Sequence, residues 1–289
     1  YPMSFTEFLL ANNIDEKYIK TAENAVRSLS EIPTPIHDRL NELFTRYIVC
    51  GGMPEAVNAL VNGGLADAIR VNRRLLGDYE MDIAHYADPR TKIKAIECFC
   101  SIPLQLAKDN KKFQYKLVRE GYNARHFEES LAWLANAGLI YQVHRLKNIG
   151  MPLEIYREQG VFKVYFFDTG ILTAGFSDRV INDILQDALG VYKGVIFENI
   201  AAQNLAAHGI KSYYYEPNTS SEIDFVIEYE GNITPLEIKG GLHTRSTSFA
   251  NFVRNHSCKN AFRFSRKNVG VSDDGITKYL PVYALEWIL

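Results

Sequence analysis

Between residues 222 and 239 the chain twice alternates apolar and charged side chains. The runs are Glu222-Ile223-Asp224-Phe225-Val226-Ile227 and Leu236-Glu237-Ile238-Lys239, with Gly231-Asn232 between them. A period of two belongs to a β-strand, and a short glycine-containing link makes two such strands antiparallel neighbours. Strict alternation places Ile223, Phe225 and Ile227 on one face with Asp224 on the other, and sets Leu236 and Ile238 against Glu237 and Lys239. Asp224, Glu237 and Lys239 are therefore expected on one side of one sheet. Glu198, on a preceding helical stretch of about 190–208, is expected to lean over the same place.

The rest of the chain limits what that sheet belongs to. Residues 1–50 read as helices. Ser4 with Glu7 three positions on is a capping box, and Leu40, Leu43, Phe44, Tyr47 and Ile48 recur at helical spacing. Cys50-Gly51-Gly52-Met53-Pro54 then stops one helix and starts the next. Helices are expected through about 100, with a break near Ala87-Asp88-Pro89. Three further helices, at about 92–107, 114–120 and 124–137, precede strands at Leu139–Val143 and Lys163–Phe167. That order is a winged helix, with 124–137 as recognition helix and the 144–160 connection as wing. Glu128 and Glu129 on that helix would repel phosphates.

After residue 168 a long helix, three strand-like runs (212–216, 222–229, 233–239), a helix at about 246–256 and strands near 261–265 and 279–284 describe an α/β sandwich. The expected fold is thus α+β. A helical lid or linker covers 1–92, a winged helix 93–169 and an α/β domain 170–289.

Two or three carboxylates on one face can hold Mg²⁺ through oxygen ligands at roughly 2.0–2.1 Å, leaving positions for water and phosphate oxygens. Such an ion polarises a phosphoryl group and lowers the pKa of bound water. A lysine two residues beyond the glutamate projects from the same strand face and can orient that water or offset charge on the phosphate. Candidate catalytic residues are Glu198, Asp224, Glu237 and Lys239, with Asp224 and Glu237 as metal ligands.

This constellation resembles the core of the PD-(D/E)xK nuclease superfamily, with Ile223 where the pattern has proline. Met3-Ser4-Phe5-Thr6-Glu7-Phe8, Gly51-Gly52-Met53-Pro54-Glu55, Gly138-Leu139-Ile140 and Lys163-Val164-Tyr165-Phe166-Phe167-Asp168-Thr169-Gly170 extend the likeness over nearly the whole chain. They resemble prokaryotic AAA-type ATPases that carry such a domain at the C-terminus. The resemblance implies a P-loop ATPase domain ahead of the lid, a restriction-endonuclease-like C-terminal domain and poorly assigned biology. No GxxxxGK[ST] stretch occurs, so ATP is expected only through a P-loop domain absent from this chain, which does not begin with Met.

Charge directs the choice of partner. The formal net charge of -2 divides into a basic stretch at 101–150, with eight Lys/Arg against four acids, and an acidic one at 151–250, with seven against thirteen. Residues 251–289 are basic again, six against three. DNA contact is therefore expected through 101–150 and 251–289, with metal in between. The four cysteines form no CxxC pair and the seven histidines show no zinc spacing. Reduced thiols, no signal peptide and no transmembrane run suggest a cytoplasmic protein. The leading expectation is a Mg²⁺-dependent nuclease. The alternatives are a non-catalytic DNA- or protein-binding module and an assembly element that couples the ATPase to a homo-oligomer.

Overall fold

The computed structural model describes the chain except residues 107, 109–111, 187, 189–191, 219–220 and 241–246. Helices come first: α1 (Phe5–Ala11), α2 (Glu16–Arg27), α3 (Thr34–Cys50), α4 (Pro54–Gly63), α5 (Leu65–Tyr86), α6 (Lys92–Leu106), α7 (Tyr115–Val118) and α8 (Ala124–Asn136). Next are β1 (Ile140–Leu146) and β2 (Arg157–Phe166), then α9 (Thr169–Ala174), α10 (Asp178–Leu185) and α11 (Tyr192–Ala207). The C-terminal part holds β3 (Ser212–Asn218), β4 (Ser221–Tyr229), β5 (Asn232–Ile238), α12 (Thr247–Asn255), β6 (Ala261–Ser265), β7 (Gly270–Val271) and β8 (Thr277–Pro281). The fold is α+β. The strand expected at 279–284 ends at Pro281, and Val282–Trp287 turns into a 3₁₀ helix. Strand β2 starts six residues earlier than expected, which shortens the wing.

Local chemistry sets these boundaries. Ser4 Oγ accepts the Glu7 N–H, and Glu7 Oε2 accepts the Ser4 N–H at 2.7 Å, closing the capping box that starts α1. Gly51 ends α3 with a positive φ of 69°, and Pro54 occupies the first turn of α4.

Among the described residues the eight strands form one sheet in the order β2-β1-β3-β4-β5-β6-β8-β7. The hairpin read as a winged-helix ribbon and the strands read as nuclease-like thus share a sheet. Their junction is narrow, since only His144–Leu146 of β1 pairs, in parallel, with Tyr213–Tyr215 of β3. The hairpin curls over the sheet beyond that point. Although β1 and β3 lie between them in strand order, the ring of Tyr165 on β2 sits 5.8 Å from that of Phe225 on β4. Helix α11 fills the space beneath with Val195, Ile196, Phe197, Ile200 and Leu205, all buried.

A polar knot ties α3 to the segment after β2. The last carbonyls of α3 lack partners within their own helix. Asn72 Nδ2 donates to Cys50 O at 2.8 Å, Thr173 Oγ1 to Val49 O at 3.2 Å and Thr169 Oγ1 to Ile48 O at 3.4 Å. Asp168 caps α9 by accepting the Ile171 N–H at 3.0 Å, while its Oδ2 accepts the Gly52 N–H at 2.8 Å. Asp168 is fully buried. Burial pushes its pKa up to about 6, against the lowering pull of the Gly52, Ile171 and Gly170 N–H groups.

Because the folded-state pKa lies above the unfolded value, this carboxyl's contribution to stability is present below about pH 4. It is lost as pH rises through about 6. The stability difference between the native chain and Asp168→Asn should therefore move by up to about 3 kcal/mol between pH 4 and 7, the native chain gaining toward acid. Urea titrations of both proteins across that range read this directly, and a flat difference would refute it.

Candidate functional site

Strands β4 and β5 pair antiparallel from Tyr229↔Asn232 to Phe225↔Leu236, so the ladder ends one residue short of Asp224 and Glu237. The Asp224 carboxylate accepts the Ile238 N–H through Oδ2 at 2.8 Å. Leu236 and Ile238 pack into the core with α11. Glu237 and Lys239 alternate with them and project from the opposite face. Lys239 Nζ pairs with Glu237 Oε1, while Glu237 Oε2 is buried without a hydrogen-bond partner. A buried carboxylate oxygen lacking a donor is costly unless a ligand reaches it.

The alternation expected along β4 is broken. Tyr213 pairs with Val226 and Tyr215 with Ile223, so Asp224 and Phe225 together oppose Tyr214 in a β-bulge. Phe225 and Ile227 join the α11 core, but Ile223 joins Val226 in the cluster under α12 with Phe249 and Phe252. Ile223 therefore does not share a face with Phe225 and Ile227. Bulges re-aim side chains, and this one falls at Asp224.

Glu198, 2% exposed on α11, is held by two donors on the same oxygen. Tyr165 OH donates to its Oε2 at 2.9 Å, and Lys163 Nζ reaches that atom at 3.5 Å. Lys163 also pairs with Glu222, and its ammonium lies 5.1 Å from the centre of the Tyr214 ring. Burial works against the charged form of Lys163. Tyr165, Glu198, Glu222 and Asp224 outweigh it and hold the pKa well above the usual lysine value. At Lys239 burial likewise opposes the charge, yet Glu237, Asp224 and Glu198 raise the pKa. The charges of Asp224 and Glu198 thus act on both lysines, which gathers four carboxylates and two ammonium groups into one network.

All four residues expected at the site lie in this network. Two members, Lys163 and Glu222, do not follow from the strand motif. Glu222 could have been found as the i–2 neighbour of Asp224. Lys163 could not, because only the curl of the hairpin brings it near.

The expected DNA-binding stretches are partly neutralised. Lys112 pairs with Glu216 at 2.6 Å and Arg145 with Glu158 at 2.7 Å, while Arg119 pairs with Glu97. Lys108, Lys116, Arg125 and Lys147 stay exposed, as do Arg254, Lys259 and Lys267 from the C-terminal stretch. Lys111 lies outside the described residues. Among the described residues no helix is long and apolar enough to cross a membrane.

Residues 41–179 match the model of a domain of unknown function, DUF8612, and residues 193–285 match that of another, DUF4143. No curated protein and no solved structure matches the chain. The charged network draws on both matched stretches, taking Lys163 from the first and its four carboxylates and Lys239 from the second.

Proposed function

We propose that this chain is the C-terminal region of an AAA-type ATPase and that its β4–β5 site cleaves DNA phosphodiesters with Mg²⁺. The observation that carries the reading is the bond from the Ile238 N–H to Asp224 Oδ2, which brings Asp224 to the end of β5 where Glu237 Oε2 is buried without a partner and Lys239 pairs with Glu237. The DUF4143 match and the motifs shared with AAA-type proteins support the ATPase context.

Carboxylate oxygens are the donors a hard divalent ion prefers, so the residues fit Mg²⁺. Asp224 and Glu237 would hold the ion. Among the described residues no three carboxylate, histidine or cysteine side chains converge on one point. Two protein ligands suit Mg²⁺, which keeps several waters and takes substrate phosphates in its remaining positions. A bound ion would supply Lewis acidity toward the phosphoryl group and a water of lowered pKa.

The chain's own groups do the rest. Lys239, kept cationic by the surrounding carboxylates, offsets charge developing on the phosphate. Glu198 Oε2 accepts from Tyr165 and Lys163, which ties this carboxylate to the hairpin. It thereby fixes the cationic side of the network. The exposed lysines and arginines of 101–150 and 251–289 supply the phosphate grip.

Mn²⁺ or Mg²⁺ should therefore support slow cleavage of DNA by the chain, and EDTA should abolish it. Binding should weaken steeply as salt rises, because phosphate contacts release counterions. The engagement of Glu198 in a closed buried network favours a second reading, a non-catalytic DNA- or protein-binding module. Salt-sensitive DNA binding with no cleavage under any divalent ion, and no metal at Asp224 and Glu237, would select it.

A further inference from the structure

The network contains four carboxylates, Glu198, Glu222, Asp224 and Glu237, against two ammonium groups, Lys163 and Lys239. We propose that Lys163 is a built-in cation occupying the place a second metal ion would need, so that the site accepts one divalent ion per chain and not a pair. This rests on the metal-site reading above.

Three observations carry it. First, Lys163 is 1% exposed and bridges the carboxylates of α11 and β4. It lies 3.5 Å from Glu198 Oε2, pairs with Glu222 and sits over the Tyr214 ring. Second, Glu198 Oε2 also accepts the Tyr165 hydroxyl at 2.9 Å, so that oxygen is already spoken for by two protein donors. Third, among the described residues the buried carboxylate oxygen of the network that lacks a donor is Glu237 Oε2, on the glutamate paired with Lys239 and not on either partner of Lys163.

Charge balance leads to the same stoichiometry. Four negative and two positive groups leave a formal deficit of two, the charge of one divalent ion. A second ion would give the network a net positive charge while Glu198, Asp224, Glu237 and Lys163 are all at least nine-tenths buried. Uncompensated charge in such surroundings is strongly disfavoured. Removing the Lys163 ammonium would take one buried positive partner from Glu198 and leave the Tyr165 hydroxyl on the same oxygen.

Mn²⁺ is the probe. Isothermal titration of the 289-residue chain should give one ion per chain. Its electron paramagnetic resonance spectrum should lack Mn–Mn dipolar coupling at saturation. Lys163→Met, checked for folding by near-ultraviolet circular dichroism, should bind a second ion with dipolar coupling to the first, and Lys163→Arg should stay at one. Two coupled ions in the native chain would overturn the proposal while leaving the metal reading intact. A folded Lys163→Met that still binds one would do the same. No Mn²⁺ bound to the native chain would remove both. Because the native stoichiometry decides by itself, a Lys163→Met chain that fails to fold does not shelter the idea.

Discussion

Alanine at Gly51 is expected to destabilise the chain by about 2–6 kcal/mol, a large share of the roughly 5–15 kcal/mol that holds a typical domain together. Two costs combine there. With φ at 69° and ψ at -169°, Gly51 lies in a region almost reserved for glycine, where an L-residue pays about 1–3 kcal/mol. A Cβ at Gly51 would also stand 2.2 Å from Asp168 Oδ1 and 2.6 Å from Gly170 N. Neither can yield: the carboxylate is fixed by the N–H groups of Gly52 and Ile171, and the other atom is backbone. Overpacking of this kind typically costs a further ~1–3 kcal/mol. Gly170→Ala should behave similarly without the φ term, since its Cβ would meet Cys50 O at 2.3 Å. Gly77→Ala is the control of opposite sign. It lies within α5 with nothing inside 4 Å of its Cβ, and alanine there should add about 0.5–1 kcal/mol. Urea midpoints of the three variants test the set. A Gly51→Ala chain as stable as Gly77→Ala would mean that the knot between α3 and α9 does not hold the fold.

Sequence periodicity reached the parts of this fold that local geometry governs. The capping box at Ser4, the stop at Gly51 and the antiparallel pairing of β4 with β5 all depend on residues within a few positions of each other. The same reasoning failed at Ile223, because a bulge is decided by the neighbouring strand, here by Tyr213 and Tyr215 on β3. Lys163 was visible only as a strand residue. Its partners Glu198 and Glu222 are 35 and 59 positions away, and β1 joins β3 only through its last three residues, which leaves the rest of the hairpin free to curl toward them. Asp168 carried a sequence signal of a weaker kind, a lone acid inside an aromatic run before Thr-Gly. Its role as a buried cap to both α9 and the Gly52 N–H needs the return of α3, more than a hundred residues upstream.

Asp224→Asn and Lys239→Ala should separate binding from chemistry at the proposed site. The first removes a charged ligand at nearly constant shape. Mn²⁺ affinity and DNA cleavage should fall together, because a neutral amide oxygen holds a hard divalent ion more weakly than a carboxylate does. The second should split the two readouts in opposite directions. Lys239 neutralises Glu237 Oε1 in the resting site, so its loss frees that carboxylate and should tighten Mn²⁺ binding. Cleavage should nonetheless drop by about 10²–10³, the usual consequence of removing a group that stabilises developing negative charge. Because the surrounding carboxylates raise the Lys239 pKa above its ordinary value, the ammonium persists throughout the neutral range. The pH–rate profile of the native chain should therefore show no fall below about pH 10 from this residue. A merely structural lysine would predict the reverse pattern, with metal binding and cleavage lost together as Glu237 rearranges. Titration calorimetry with Mn²⁺ and a gel assay on plasmid DNA, run on the same preparations, distinguish the two. Tighter metal binding with unchanged cleavage would remove Lys239 from the chemistry while leaving Asp224 and Glu237 as the ion's ligands.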